Sequence, residues 1–295
     1  MSTPVKKPGF SRTMLVVIIL VVVVGAVVAV VAASMFLGPS LSVTKKNFTP
    51  YQSSVSQSSS NPSSMTVSNT NGGVIVSSWP QAYVMINGTV TARGFGSSPD
   101  AITFVESNSS GNIVFQAMFP SSNFFFGASY SVDVHVYTPS STQFNTVHIV
   151  TVNGDLQVSN ISASSLTLTD TNGGITASNI SATTMTATDT NGAVNLTCTS
   201  CGSAMLTTTN GSVTMSLLTL SLGGTYTVTS TNGNVNLTIP SLASCKITPS
   251  TTNGSISASL GPGIQLTNHA TTTLGTGSAI VNLTTVNGSI TVTGQ

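Results

Sequence analysis

Few residues in this chain could do chemistry. Asp170 and Asp189 each stand two residues before an Asn-Gly pair, at Asn172 and Asn191, and the two pairs are nineteen residues apart. If the chain between them makes one turn of a stacked structure, the carboxylates come within ~5 Å at strand spacing. That separation suits a retaining glycosidase pair or a shared calcium ion. Against catalysis, Asp is a routine turn residue, neighbouring units carry no Arg or Lys, and the aligned positions elsewhere are mostly Ser or Thr. A turn role is expected, with Asp170 and Asp189 kept as weak calcium candidates. No catalytic residue and no cofactor is expected.

Cys198 and Cys201 form a C-x-x-C, but redox chemistry needs a thioredoxin-like α/β context and zinc needs two further ligands. Outside a cell the bridge to expect is Cys198 to Cys201; two thiols packed as small apolar groups is the equal alternative. Cys245 lies about two units further on, ~9 to 10 Å at strand spacing and beyond disulfide reach. His135, His148 and His269 are scattered and read as structural. Of eleven N-x-S/T sequons, Asn160 and Asn179 are aligned in adjacent units and would project from one face; Asn195 and Asn236 are further candidates for N-glycosylation.

The elements that position these residues follow from an internal repeat. Asn-Gly recurs at Asn71, Asn87, Asn153, Asn172, Asn191, Asn210, Asn232, Asn253 and Asn287. Three and five residues after it from Asn153 onward the side chain is apolar or Ala, as in Leu156 and Val158 or Val213 and Met215. Four and six residues before it the apolar choice usually recurs. Such alternation marks strands with one buried face, and Asn-Gly supplies the left-handed backbone of a sharp corner. A unit of ~20 residues cannot bury its face alone, so units must stack. The expected fold is all-β: a parallel β-solenoid, each unit strand, corner, strand. Antiparallel hairpins on the same turns remain the competing topology.

The rest of the chain divides around that solenoid. Met14 to Leu37 is uncharged and apolar, long enough to span a ~30 Å bilayer core as a helix. Residues 1–13 then form a cytoplasmic N-terminus and 38–64 a Ser/Pro-rich stalk. Residues 65–150 supply N-terminal β strands and an aromatic-rich cap, and 151–295 the repeats. Because the chain stops soon after Val292, the last strand is expected to be an open edge, able to pair end to end with another copy. Gly9-Phe10 before an apolar run admits a pilin-like filament subunit as an alternative.

Charged residues are 4% of the chain. Beyond Lys46 the only bases are Arg93 and Lys246, so no basic stripe exists for nucleic acid. Thr70-Asn71-Gly72-Gly73-Val74-Ile75-Val76 with Trp79, followed by units such as Thr151-Val152-Asn153-Gly154-Asp155-Leu156, resembles the putative-adhesin family of bacterial and archaeal repeat domains from about Met65 to Gln295. The resemblance implies a β-solenoid and a surface location. The expectation is a single-pass membrane protein with an extracellular C-terminal domain, adhesin-like or structural. Its partners would be membrane lipid through Met14 to Leu37, and surface glycans or proteins through Ser/Thr/Asn ladders. A β-helix carbohydrate-active enzyme is the alternative, and would require Asp155, Asp170 and Asp189 to converge on one concave surface.

Overall fold

The structure is a computed structural model that describes residues 43–55, 63–94, 96–121 and 127–295. The expected cytoplasmic segment and the membrane helix Met14 to Leu37 lie outside the described residues, as does Gly9. Among those described, no helix is long and apolar enough to cross a membrane.

The fold is a parallel solenoid. After each Asn-Gly corner a strand such as Leu156–Ser159 pairs in parallel and in register with its counterparts one turn away, Leu156 opposite Ile175 and Val74, then Val194 opposite Val213 and Val213 opposite Val235. Before each corner a second series does the same, Leu166 opposite Met185 and Val147. Identical register in both series stacks apolar on apolar. Leu156, Ile175, Val194, Val213, Val235 and Ile290 form one fully buried column, which excludes the hairpin topology.

Each turn holds more corners than the single one expected. Inward positions run Leu156, Val158, then Ile161, Ala163, then Leu166, Leu168; the alternation slips by one residue at two places. A strand cannot change the face it buries without bending, so the wall folds twice more and the turn has three short faces. The first extra bend is at Asn160 and Asn179, which carry left-handed backbones (φ 57 and 53), a conformation Asn tolerates.

At the Asn-Gly corners glycine acts differently from the expectation. Most of these glycines, Gly173 and Gly192 among them, lie outside the left-handed region. A Cβ on Gly192 would instead collide with the carbonyl oxygen of Gly173 one turn below. Close stacking of backbone on backbone, rather than dihedral freedom, is what requires glycine there.

Both ends are re-entrant. At the C-terminal end Ala279–Asn287 inserts between Thr225–Asn232 and Cys245–Asn253, and Ile290–Gly294 between Val235–Ile239 and Ile256–Ser259. The expected open edge at Ile290 and Val292 is therefore internal, with both sides paired and both side chains fully buried. The outermost strand is Cys245–Asn253. It is blunted by Pro249, by the antiparallel strand Thr272–Leu274, and by the Asn268 amide, which bonds both the N–H and the C=O of Thr251 (2.9 Å each). Cys245 is consequently one turn further from Cys201 than chain order suggests.

At the N-terminal end Ser64–Ser68 and Val74–Trp79 are likewise internal, flanked outside by Asn112–Met118 and Ser129–Pro139. The boundary expected at residue 150 falls inside the solenoid, because Gln143–Val150 is one of its strands. Tyr83–Arg93 covers Ser129–Pro139 antiparallel. Part of the expected stalk is strand: Val43–Asn47 and Tyr51–Ser54 pair antiparallel with Tyr83–Arg93, and Phe48 packs against Phe104 and Phe115 (ring centroids 4.4 and 5.7 Å). Ser-rich composition hid that these residues complete an existing edge, where partner strands and an aromatic pocket supply the apolar contacts.

Candidate functional site

The corners carry three polar rows. On the outside, seven of the nine Asn-Gly asparagines donate their side-chain amide to the Asn of the adjoining turn; Asn71 ends the row and Asn87 lies within the strand Tyr83–Arg93. The chain of bonds runs from Asn253 through Asn287, Asn232, Asn210, Asn191, Asn172 and Asn153 to Asn71, at 2.6 to 2.9 Å. Beside it, side chains such as Asp155, Ser212 and Asn234 accept a backbone N–H from the next turn. On the inside, two residues before each Asn, stands a buried column: Asn69, Thr151, Asp170, Asp189, Thr208, Ser230, Thr285 and Thr251.

The structure brings Asp170 and Asp189 together in that inner column, on adjacent turns, at 1% and 2% exposure. One oxygen of each accepts a backbone N–H, from Thr171 (2.7 Å) and Asn191 (3.1 Å). The other, Oδ2, has no partner among the described residues. Burial pushes both carboxyls up, Asp170 to about 6, with the neighbouring negative charges of Asp189 and Asp155 adding to the rise for Asp170. Asp155 lies on the solvent side of the corner, exposed, with Oδ1 on the Gly174 N–H. The three acids therefore do not meet in one groove. Among the described residues no group of three or more His, Cys, Asp and Glu could hold a metal ion.

Cys198 and Cys201 are joined as a disulfide, both buried, Cα to Cα 6.0 Å. Cys245 is buried and free, its thiol pushed up to about 11 by desolvation. His135 and His148 sit half-buried on different faces near one end, and His269 is exposed at the other, bonded through Nδ1 to Ser250 Oγ (3.0 Å). Asn160, Asn179 and Asn195 are exposed and Asn236 half-buried. The first two stack as expected, the Asn179 amide donating to Asn160 Oδ1 (2.6 Å) and Asn179 Oδ1 accepting from Thr199.

The face before the Asn-Gly corner is mainly a hydroxyl array, with Lys246 exposed on its outermost strand. Thr169, Thr188, Thr207, Thr229, Thr284 and Ser250 form one outward column; Thr167, Thr186, Met205, Thr227, Asn282 and Thr248 form the next. Rows are about 4.8 Å apart along the axis and columns about 6.6 Å apart across it. Apart from Ser250 and Thr248, which bond His269 and Thr271, these Ser and Thr hydroxyls are not engaged by the described residues.

The model of the Toastrack DUF4097 family matches residues 41–293. The chain belongs to this family. Solved structures similar to it include a putative cell adhesion protein from Clostridium sporogenes, 9% identical, which covers 86% of this chain and 100% of its own with a TM-score of 0.37. Another is a putative adhesin from Bacteroides fragilis, 12% identical, covering 87% and 99%, with the same TM-score of 0.37. No curated protein matches the chain.

Within this Toastrack chain sequence reasoning missed one concavity. A cleft of about 520 Å³ at the N-terminal end is lined by Phe48, Tyr51, Phe104, Glu106 and the Lys46–Asp100 ion pair. Partial burial raises the Glu106 carboxyl, while Lys46 lowers that of Asp100. Phe48 and Tyr51 inside an otherwise polar segment were the available signal.

Proposed function

We propose that the chain is a membrane-anchored, non-catalytic surface protein that binds extracellular glycans or partner proteins through its threonine face. One observation carries this reading: an in-register column of unengaged hydroxyls at Thr169, Thr188, Thr207, Thr229 and Thr284, with Thr167, Thr186 and Thr227 beside it, on a wall whose only charge among the described residues is Lys246 at its outermost strand. The Asn rows named with them in the sequence contribute less, because their amides are committed to one another along the corner. A hydroxyl with a methyl beside it offers a donor, an acceptor and an apolar contact, which suits the mixed surface of a neutral sugar chain.

Anchoring through Met14 to Leu37, with the solenoid outside the cell, rests on the sequence. The Cys198–Cys201 disulfide and the exposed sequons Asn160 and Asn179 agree with an oxidising, extracellular setting. The enzyme reading loses support because Asp170 and Asp189 are walled in and cannot touch a substrate in solvent. The test is a glycan array probed with the full chain and with a variant carrying Thr169→Val, Thr188→Val, Thr207→Val and Thr229→Val, which keeps shape and strand propensity. Binding by the wild type that the variant loses supports the assignment. Binding retained by the variant would move the site elsewhere, and the cleft at Phe48 and Glu106 is the next surface to mutate.

A further inference from the structure

The buried corner column contains its own control experiment. In the other turns the residue two before Asn is a hydrogen-bond donor directed at a corner glycine carbonyl. Thr208 donates to Gly192 O (2.9 Å), Ser230 to Gly211 O (2.8 Å), Thr285 to Gly233 O (2.8 Å) and Thr251 to Gly288 O (2.9 Å). Asn69 does it with an amide N–H, to Gly72 O at 2.9 Å. Thr151 reaches the same oxygen at 3.4 Å.

Only Asp170 and Asp189 break the rule of a donor in this column. By position their targets are Gly154 O and Gly173 O. The space agrees with it: a Cβ on Gly173 would lie within 2.5 Å of both Asp170 Oδ2 and Gly154 O, and one on Gly192 within the same distance of both Asp189 Oδ2 and Gly173 O, so each pair of oxygens borders one small volume. Two lone-pair oxygens facing each other in a buried site repel, and an ionised carboxylate has no donor to offer.

We propose that Asp170 and Asp189 are a stacked pair of proton-binding sites: each is a neutral carboxylic acid whose Oδ2–H bonds the glycine carbonyl one turn below, doing what threonine does in other turns. Oδ1, the carbonyl end of the acid, accepts the backbone N–H. Among the described residues no group of three or more His, Cys, Asp and Glu stands here to supply the six to eight oxygens of calcium, so a proton takes the place of the cation considered from sequence.

The charged groups facing the pair are all acidic. Asp155 across the corner and the two carboxyls themselves raise the cost of ionisation, and the column neighbours Thr151 and Thr208 are neutral. The sign of the pH effect follows. The folded state holds these protons at a pH where the unfolded chain, with the ordinary value of 3.8, has released them, so stability is greatest below that value and falls as pH rises through the folded value. For Asp170 alone, a move from 3.8 to about 6 corresponds to roughly a hundredfold loss in the folding equilibrium constant between pH 4 and pH 8.

The experiment compares the full chain with two double variants, Asp170→Asn with Asp189→Asn and Asp170→Thr with Asp189→Thr. Each replaces the acid by a donor already used in this column. Melting is followed from pH 4 to pH 8, and the carboxyl infrared band of the wild type is read with isotope-labelled Asp. The expected result is a wild type whose melting point falls with pH, variants in which most of that slope is gone, and a protonated-carboxyl band at pH 5 that both variants lack. A wild type fully ionised at pH 5, a slope that both variants retain, or a wild type whose melting point rises with added calcium chloride would each overturn the proposal.

Discussion

Replacing Ile290 by Lys separates two accounts of the chain's end. If Ile290–Gly294 were an open edge, a lysine there would block self-pairing and leave the fold alone, since Lys is a common edge-blunting residue. The structure instead seats Ile290 between Val235 and Ile256, fully buried and paired on both sides. The lysine stem carries as many carbons beyond Cβ as isoleucine, so the apolar transfer term changes little and the charge and the extra length decide the cost. Burying an ammonium with no acceptor costs several kcal/mol, against about 1–3 kcal/mol even for a neutral polar group. A loss of at least about 4 kcal/mol is expected, a large part of the roughly 5–15 kcal/mol available to a domain. The damage should spread, because the turn Cys245–Ser259 is held mainly by the inserted Ala279–Gly294 segment. Urea unfolding of the full chain, with protease added to read opening near the exposed Leu242, is the assay. Thr291→Lys, on the outward side of the same strand, is the control and should change stability by less than about 0.5 kcal/mol. An Ile290→Lys protein as stable and protease-resistant as wild type would refute the re-entrant topology.

Three other perturbations follow from the same wall. Val213→Asp places a carboxylate inside the Val194–Val213–Val235 stack and should cost more than about 3 kcal/mol, seen as a lowered melting point at neutral pH. Gly192→Ala sets a Cβ against the Gly173 carbonyl and should cost about 1–3 kcal/mol; a neutral effect in thermal melting would mean the corners stack less tightly than described. Asn191→Ala cuts the exposed amide ladder on both sides and should cost about 1 kcal/mol, measurable as faster amide hydrogen exchange at the Asn172 and Asn210 corners.

What was legible in the sequence is what a two-residue alternation and a repeated dipeptide can encode. Leu156, Val213 and Ile290 are inward as their spacing implies, and Asn-Gly marks the corners except at Asn87-Gly88, which lies within the strand Tyr83–Arg93. The parallel topology followed because one period repeated with one corner. The two extra bends were also written there, in the slip from Val158 to Ile161 and from Ala163 to Leu166, but a search for strict alternation in short windows passes over such a slip. Spatial order at the ends was not encoded locally. The interval of thirty-four residues between Asn253 and Asn287 reads as nearly two units in line; in fact Asn287 pairs with Asn232 on one side and Asn253 on the other. Nothing in the pattern of Ala279–Asn287 distinguishes a strand that extends a stack from one inserted into it, since both need the same inward residues. Asp170 and Asp189 were partly legible for a related reason: sequence shows an Asp beside a turn, where each does bond a corner N–H, and only burial shows which side of the wall it occupies.

The re-entrant ends bear on how a chain with so little charge covers the ends of its own sheet. A solenoid built of like turns has two exposed sheet ends, each a template for another copy, and charge is the usual deterrent. Here Arg93 and Lys246 are the only bases of the repeat-bearing head beyond Lys46, and Lys246 stands on the outermost strand Cys245–Asn253. The remaining protection is geometric. Each terminal strand of the repeat is tucked one turn inward, so that the outer turn is made by a chain segment that must leave and return, and its loops cover the end: Leu260, Ile264, Leu266 and Leu274 pack over the core on one side, and Tyr83–Arg93 with its antiparallel partners on the other. Blunting the ends by topology leaves the long walls with Lys246 at one end as their charge against edge pairing and spares the inner turns the Lys and Glu that edge protection would otherwise demand. Between its ends the threonine face can then do without charge, Lys246 standing only on its outermost strand, which is the property a surface needs if it is to recognise neutral ligands by hydroxyl and methyl contacts.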